Sequence, residues 1–227
     1  RTEFYHIIWI QKGRPKHFID FKPYVLKPDS ILFIPKYCIN AFDTVTNFEE
    51  KIILFTDDFF CKNPNDITFL KSTSLFNNIN GIINLSLNEK NKELKNLFEI
   101  MENEYEKQND FAHSDLLRNY LHNFLLIAER EISKAGLNEL IPSTNAEYFL
   151  NFRDLLEENF KKHRTVRFYS DNINISEKRL YLATKNLLNK TPKQLIDERM
   201  LLEAKRFLIN RSINVKEIAF ELGFEEL

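Results

Sequence analysis

Basic side chains are concentrated in one stretch of the chain, from Phe160 to Lys193. This stretch holds nine lysine and arginine residues but only two acidic ones, Asp171 and Glu177, whereas the whole 227-residue chain has a formal charge of −1. Such a local excess is typical of a surface that binds phosphate groups, although an ordinary solvated face would look the same. The stretch is the first candidate for a contact with nucleic acid.

Residues that perform catalysis or hold metals are few and scattered. The first 88 residues contain only His6 and His17, which do not form a His-x-His pair. Cys38 and Cys61 lack the spacing of metal ligands and are too few for a disulfide framework, so we expect reduced thiols. Only four glycines occur, and no glycine-rich phosphate loop or nucleophile elbow is present. We therefore expect no enzyme activity, no metal and no cofactor.

The composition is that of a globular protein, with 43% hydrophobic and 29% charged residues. No apolar run approaches the ~20 residues needed to span a membrane, so we expect a cytoplasmic protein that does not enter a membrane. The chain begins with Arg1 rather than methionine. We therefore expect an N-terminal piece to be missing, which makes the lack of a targeting signal weak support for this location.

Short runs of β-branched and aromatic residues dominate residues 1–88, and they recur about every ten residues. The first, from Phe4 to Ile10, is followed by turn residues at Gly13 and Pro15. This pattern predicts a sandwich or a small barrel. A short helix with a loop is expected between Pro64 and Asn77.

The spacing of apolar residues changes at Glu89 and predicts a helical hairpin over residues 89–134. One stripe at helical spacing comprises Leu94, Leu97, Phe98, Met101 and Tyr105. The second helix is apolar on more than one side, so the hairpin is a candidate for dimerisation as well as for packing on the strands. Residues 135–147 are predicted to be a linker.

Residues 148–227 carry helix signals only. Thr165 and Ser176 are suited to begin helices, Asn189 to end one, and Pro192 to begin a long helix that runs to about Asn210. We expect these helices to bury several apolar side chains: Val166, Tyr169, Leu180, Ala183, Leu187, Leu188, Leu195, Ile196, Met200, Ala204, Phe207 and Leu208.

Within the run from Tyr148 to Leu227, about 80 residues long, a set of residues keeps a recognisable order and spacing: Ile175, Ser176, Leu180, Lys190, Thr191, Pro192, Ile196, Arg199, Met200, Ala204, Leu208, Ile218, Ala219, Gly223 and Phe224. Through these residues the run resembles the AraC family of bacterial transcription regulators. The resemblance implies two helix–turn–helix units, joined by a long helix, that enter successive segments of the major groove of double-stranded DNA.

Carried onto this chain, the resemblance places the first recognition helix at Ser176–Leu188. The DNA-binding candidates are Ser176, Lys178, Arg179, Tyr181, Lys185 and Lys190. We expect Lys178 and Tyr181 at base edges, and Arg179, Lys185 and Lys190 nearer the phosphates.

Two features depart from the family pattern. Leu182 and Thr184 stand where the family often has an arginine and an aromatic residue, so a guanine contact is less expected and Leu182 could instead touch a thymine methyl group. The segment Ala219–Phe224 reads as the first helix and turn of a second unit, but the sequence ends at Leu227. We expect the second recognition helix to lie beyond it.

The strand region resembles the cupin-like N-terminal domain of such regulators, on Gly13, the run His17–Phe21 and Ile34-Pro35. This implies a small-molecule effector inside a barrel. The candidate effector residues are Tyr5, Ile7, Trp9, His17, Phe33 and Cys38, each of which could equally be ordinary barrel core.

The expected fold is therefore α+β: a cupin-like β-barrel (residues 1–88), a helical hairpin (89–134), a linker (135–147) and an all-α AraC-type domain (148–227). The expected function is a homodimeric transcription regulator in which the effector acts on the DNA-binding domain through the linker near residues 136–144. The alternative is an effector-binding or protein-interaction module without sequence-specific DNA binding.

Overall fold

The computed structural model describes residues 3–42, 47–78, 81–88, 91–108, 110–137, 144–209 and 214–224. The chain divides into two compact units, residues 1–139 and 140–227. The first unit combines strands and helices, and the described part of the second is helical. The expected α+β composition is confirmed.

Among the described residues of the first unit, seven strands form two antiparallel sheets. The four-stranded sheet has the order β6-β1-β4-β7, and the three-stranded sheet has the order β3-β2-β5. The strands are β1 (Tyr5–Lys12), β2 (Lys16–Ile19), β3 (Lys22–Val25), β4 (Ser30–Ile34), β5 (Asn40–Phe42), β6 (Glu49–Phe55) and β7 (Ile83–Ser86).

The four-stranded sheet is covered on both faces, and strand β1 shows why. Its side chains alternate between the faces, as in any strand. Ile7 and Trp9 contact a core that the sheet shares with the helices, here called the helix-side core. Ile8 and Ile10 contact a second core that it shares with the three-stranded sheet, here called the inter-sheet core. The unit therefore has three layers: sheet, sheet and helices.

The expected closed barrel is not formed by the described strands, and the run Ile7–Ile10 gives the physical reason. All four residues are buried, so strand β1 needs an apolar partner on each face. Helices supply that partner on one side and the three-stranded sheet supplies it on the other. The outer wall of a soluble barrel would instead present alternate residues to water.

Five helices complete the described part of the first unit: α1 (Asp57–Phe60), α2 (Pro64–Ser72), α3 (Ser74–Asn77), α4 (Lys92–Tyr105) and α5 (His113–Lys134). The long helices α4 and α5 pack against each other and contribute Phe98 and Phe124 to the helix-side core. Tyr105 was expected on the buried stripe but is exposed, because α4 ends there; Glu104 is buried instead and pairs with Lys107 at 2.7 Å.

The only tryptophan of the chain, Trp9, lies in the helix-side core. Its ring centre is 5.5 Å from that of Phe98. The amino groups of Lys51 and Lys95 are 5.9 Å and 6.0 Å from the same ring centre. The indole is thus buried in the first unit beside two cations.

Where the structure describes it, the second unit contains five helices: α6 (Thr144–Asn159), α7 (Val166–Asn172), α8 (Glu177–Leu188), α9 (Pro192–Ile209) and α10 (Val215–Glu221). The predicted helix boundaries at Ser176, Asn189 and Pro192 are confirmed. The Ser176 side chain accepts a hydrogen bond from the Arg179 amide, and Asn189 has a φ of 54°. Helix α6 begins inside the predicted linker, of which residues 138–143 lie outside the described part of the chain.

Seven of the twelve expected core residues of the second unit are less buried than predicted. Leu208, in the last turn of α9, is exposed. Six others are only half-buried: Val166, Leu187, Leu188, Leu195, Ala204 and Phe207. All of these except Ala204 lie in the first or last turn of a helix, where fewer residues surround a side chain.

A nearly buried arginine joins α6 to α9. Arg199 is 8% exposed, and its Nε donates to both carboxylate oxygens of Glu157 on α6, at 2.8 and 2.9 Å. Its Nη1 donates to Glu203, itself 3% exposed, at 3.0 Å. The guanidinium carbon also lies 3.9 Å from the ring centre of Phe160. The arginine therefore binds two helices by charge and by stacking.

We predict that Arg199→Ala destabilises the second unit by about 3 kcal/mol, since it removes a cation that pairs with the buried Glu203 carboxylate. Urea unfolding followed by far-ultraviolet circular dichroism measures the change. Lys193→Ala is the matched control: it removes an exposed pair with Asp197 and should cost less than about 1 kcal/mol. Equal losses in the two variants would contradict the structural role of Arg199.

Candidate functional site

Tyr169 fixes helix α7 in the second unit. The side chain is fully buried, and its hydroxyl donates to the carbonyl oxygen of His163 at 2.6 Å. The ring meets Phe152 of α6 edge to face at 5.4 Å. Burial, assisted by the negative charge of Glu157, raises the pKa of Tyr169 to about 12. The phenol therefore stays protonated and keeps its hydrogen bond.

A tight turn connects α7 to α8. Asn174 adopts a left-handed conformation with φ 57°, which asparagine tolerates better than most residues. The amide of Ile175 donates to the Ser170 carbonyl at 3.0 Å, and Ser176 then caps α8. Helix, turn and helix are thus held by local hydrogen bonds that fix where α8 starts.

Helix α8 buries one face and exposes the other. Leu180, Ala183 and Thr184 are buried. The outward surface, here called the recognition face, consists of Lys178, Arg179, Tyr181, Leu182 and Lys185. Lys178, Leu182 and Lys185 follow i, i+4 and i+7 along its centre, with Arg179 and Tyr181 on opposite flanks.

The structure brings four of the six predicted DNA-binding residues together on the recognition face: Lys178, Arg179, Tyr181 and Lys185. Lys178 forms no ion pair with any described residue. Arg179 lies 5.7 Å from the ring centre of Tyr148, and Lys185 donates to the carbonyl oxygen of Asn189 at 3.1 Å. These side chains project from one rigid helix.

The other two predicted residues have different roles in the structure. The hydroxyl oxygen of Ser176 accepts the Arg179 amide at 3.2 Å and so serves as the helix cap. Lys190 pairs with Glu198 at 2.6 Å. Neither side chain presents a free donor on the recognition face.

The basic count of residues 160–193 overstates the charge available to a ligand. Arg164 stacks on Phe224 at 3.7 Å and donates to the Leu222 carbonyl at 2.8 Å. Arg167 pairs with Asp171 at 3.5 Å. Folding thus uses part of the basic stretch internally and leaves Lys178, Arg179 and Lys185 at the surface.

The end of α10 docks against the connection between α6 and α7. Gly223 has a φ of +78°, and a Cβ there would lie 2.4 Å from the carbonyl oxygen of Lys161. A side chain is excluded at this position by backbone conformation and by space. The predicted turn after α10 is therefore present, while residues 225–227 lie outside the described part.

The six candidate effector residues do not lie together. Tyr5, Ile7, Trp9 and Phe33 belong to the helix-side core, where the Tyr5 hydroxyl donates to Asp57 at 3.2 Å. The remaining two, His17 and Cys38, lie on the opposite side of the four-stranded sheet. His17 is fully buried, its ring centre 4.0 Å from that of Phe42, and Cys38 belongs to the inter-sheet core.

The inter-sheet layer contains polar groups that sequence reasoning missed. His6, Glu50 and Asn84 alternate with residues of the helix-side core, so they face the three-stranded sheet, from which Asn40 approaches the His6 ring nitrogen at 3.4 Å. The buried atoms without a hydrogen-bond partner among the described residues include both ring nitrogens of His17, His6 Nδ1, Glu50 Oε2 and Asn84 Oδ1.

Burial disfavours the charged forms of these groups. It lowers the pKa of His17 to about 4, assisted by repulsion from His6, and it also lowers the pKa of His6. Burial raises the pKa of Glu50. Strand alternation in β1, which places His6 with Ile8 and Ile10, was the sequence signal that could have identified this layer. It contains hydrogen-bonding capacity but no lysine or arginine among the residues described.

A groove of about 540 Å³ runs between α4 and α5. Its apolar lining consists of Leu97, Ile100, Leu126 and Ile127, and its polar lining of Glu93, Asn96, Asn123 and Arg130. Ile100 and Leu126 are exposed. The hairpin therefore leaves an apolar strip uncovered, bordered by one acidic and one basic side chain.

The described ranges contain no group of three His, Cys, Asp or Glu side chains that could hold a metal ion. Within the same ranges, no helix combines the length and the apolar character required to cross a bilayer.

Two family models match the chain. The AraC-like ligand binding domain matches residues 1–121, and a helix-turn-helix domain matches residues 169–227. No curated protein matches the sequence.

Solved structures of ToxT from Vibrio cholerae share the fold. One is 14% identical, with a TM-score of 0.54, and the match covers 99% of this chain and 82% of that one. A second, bound to (E)-4-(8-methylnaphthalen-1-yl)but-3-enoic acid, is 15% identical with a TM-score of 0.52 over 99% and 83% of the two chains. A third, bound to an unsaturated fatty acid, is 12% identical with a TM-score of 0.51 over 99% and 80%.

The ligand-binding model alone covers more than half of the chain, and the helix-turn-helix model matches the unit that carries the recognition face. The protein thus belongs to the AraC family of transcriptional regulators, and is a DNA-binding regulator that responds to a small-molecule effector.

Proposed function

We propose that the recognition face of α8 enters the major groove, with Lys178 and Tyr181 at base edges and Arg179 and Lys185 at phosphates. The observation that carries this proposal is that Lys178, Arg179 and Tyr181 are exposed and Lys185 is half-exposed on one capped helix whose opposite face is buried. Lysine can reach the acceptor atoms of guanine, whereas phosphate contacts position the protein without reading sequence.

Ser176 and Lys190 take supporting parts in this proposal. Ser176 caps the first turn of α8 and so fixes where the helix begins, which determines the position from which Lys178 reaches the bases. Lys190 must exchange its pair with Glu198 for a phosphate oxygen. This exchange costs little, because both partners are half-exposed.

We predict that Lys178→Ala relaxes base preference at one operator position, with a loss of about 1–3 kcal/mol in discrimination. Lys190→Ala should weaken binding to all sequences alike and reduce the slope of log K against log salt by about one. Gel-shift titrations of both variants on a specific and a scrambled duplex, at several salt concentrations, measure this. If the two variants behaved identically, the assignment of base and phosphate contacts would be wrong.

The effector site proposed here is the inter-sheet layer around His17. The support for it is the set of buried polar atoms that face this layer and have no hydrogen-bond partner in the described part of the chain, since such atoms are costly unless something satisfies them. Of the six candidate effector residues, this keeps His17 and Cys38 and adds His6 and Asn40. Tyr5, Ile7, Trp9 and Phe33 are then core residues on the other face. Two antiparallel sheets that face each other without closing into a barrel would be an open form of the cupin-like arrangement.

The same layer favours an uncharged effector with hydrogen-bond donors and acceptors. The ToxT structures hold an unsaturated fatty acid and a naphthalenyl butenoic acid. A carboxylate brought into this chain's inter-sheet layer would meet histidines whose charged forms burial disfavours, together with the Glu50 side chain, and no lysine or arginine among the described residues of the layer would balance its charge. Hydroxyl or amide groups would satisfy both kinds of imidazole nitrogen.

We predict that a panel of uncharged polyols and amides contains compounds that raise the unfolding temperature of the protein, whereas matched carboxylic acids do not. His17→Leu should abolish the rise, because it removes both unpartnered nitrogens. Phe18→Leu, on the opposite face of the same strand, is the control and should retain it. Thermal shift assays on the three proteins give the result; stabilisation by fatty acids alone would refute the uncharged class.

The proposed homodimer interface is the groove between α4 and α5, in the segment 89–134, and residues 135–147 would connect it to the DNA-binding unit. The support is the exposed apolar pair Ile100 and Leu126, bordered by Glu93 and Arg130. In a two-fold dimer the same patch meets itself, so each acid can face the partner's base. With bacterial DNA as its partner, the protein would act in the cytoplasm.

We predict that Leu126→Glu converts the dimer to a monomer, since it places a carboxylate in the apolar strip. Sedimentation velocity at several concentrations measures the assembly state. The control is Ile67→Glu, a substitution of an exposed isoleucine on α2, which should leave the dimer intact. A wild-type protein that stays monomeric at all concentrations would exclude this interface.

A further inference from the structure

Leu182 is an apolar side chain at the centre of a cationic surface. It is 41% exposed and stands one helical turn from Lys178 on one side and about one turn from Lys185 on the other. The core does not require it, because Leu180, Ala183 and Thr184 already fill the inward face of α8. A leucine in this position points at whatever the recognition face contacts.

The major groove offers one apolar group on its base edges, the C5-methyl group of thymine. The edges of guanine, adenine and cytosine present acceptors or donors that leucine cannot satisfy. Pressing leucine onto them would remove water from polar atoms without replacing its hydrogen bonds. The side chain therefore discriminates in two ways, by attraction to a methyl group and by exclusion of bare polar edges.

We infer that Leu182 is a specificity-determining residue that reads a thymine through its C5-methyl group, at a base step adjacent to the one met by Lys178. This rests on the proposed placement of α8 in the major groove. The i, i+4 spacing of Lys178 and Leu182 puts their tips along one line of the helix surface, so both reach the same groove. Thr184 takes no part because it is buried.

The test uses the full chain and an operator obtained by selection from a randomised duplex. Each thymine of the operator is replaced in turn by deoxyuridine, which keeps the base pair and its hydrogen bonds but lacks the methyl group. We expect one position at which the replacement weakens wild-type binding about fourfold, the effect of one buried methyl-sized group. At that position Leu182→Ala should bind the thymine and deoxyuridine duplexes equally. Wild-type protein should bind a duplex with 5-methylcytosine at that position more tightly than one with cytosine.

The control variant is Leu201→Ala, which removes an exposed leucine on α9 and should keep the fourfold effect of deoxyuridine. The inference is overturned if no thymine position responds, or if Leu182→Ala responds as wild type does. Loss of base preference in Lys178→Ala tells the two failures apart. If Lys178→Ala loses base preference but deoxyuridine has no effect, α8 lies in the major groove and the contact of Leu182 with thymine is wrong. If neither effect is seen, both the groove placement and the thymine contact are wrong.

Discussion

The geometry of the DNA-binding unit depends on a positive charge held almost entirely out of water. The guanidinium of Arg199 contacts Glu157 on α6, Glu203 on its own helix and the face of Phe160. Its pair with Glu203 is buried within α9, where displacement would leave a charge unpaired at low dielectric, whereas Glu157 is half-exposed. The contacts of Arg199 with Glu157 and Phe160 thus link the end of α6 to a guanidinium held in place on α9, and α6 in turn packs against α8. The orientation of the recognition face therefore depends on the contacts of Arg199, which lie behind the buried side of α8.

Sequence reasoning succeeded where the determining interaction is local. Ser176 caps α8 through an amide only three residues further along, and Asn189 ends the same helix through its own backbone conformation. Partners distant in sequence could not be read in this way. Lys190 was assigned to phosphate, but Glu198 approaches it from the next helix. Arg164 was counted among the free basic residues, yet Phe224 stacks on it from 60 positions away.

The effector candidates show a second limit. Alternation along β1 tells which residues share a face, but it does not tell which layer covers that face. Tyr5, Ile7 and Trp9 were grouped correctly with one another, but His17 belongs to the other side of the sheet. The prediction of a closed barrel was wrong for the same reason. A run that is buried on both faces indicates two covering layers, but it does not tell whether each layer is a sheet or a set of helices. His6 shares its face with Ile8 and Ile10, so a polar interior was readable only once the three-stranded sheet was placed.

The position of the single tryptophan has a practical consequence. Because Trp9 lies within the helix-side core of the first unit and the second unit contains no tryptophan, indole fluorescence is an intrinsic optical label for one half of the molecule. Its emission changes when the ligand-binding half unfolds and stays constant when only the helical half unfolds. Combined with circular dichroism, which is dominated by helices, it resolves two unfolding transitions in one sample without any attached dye.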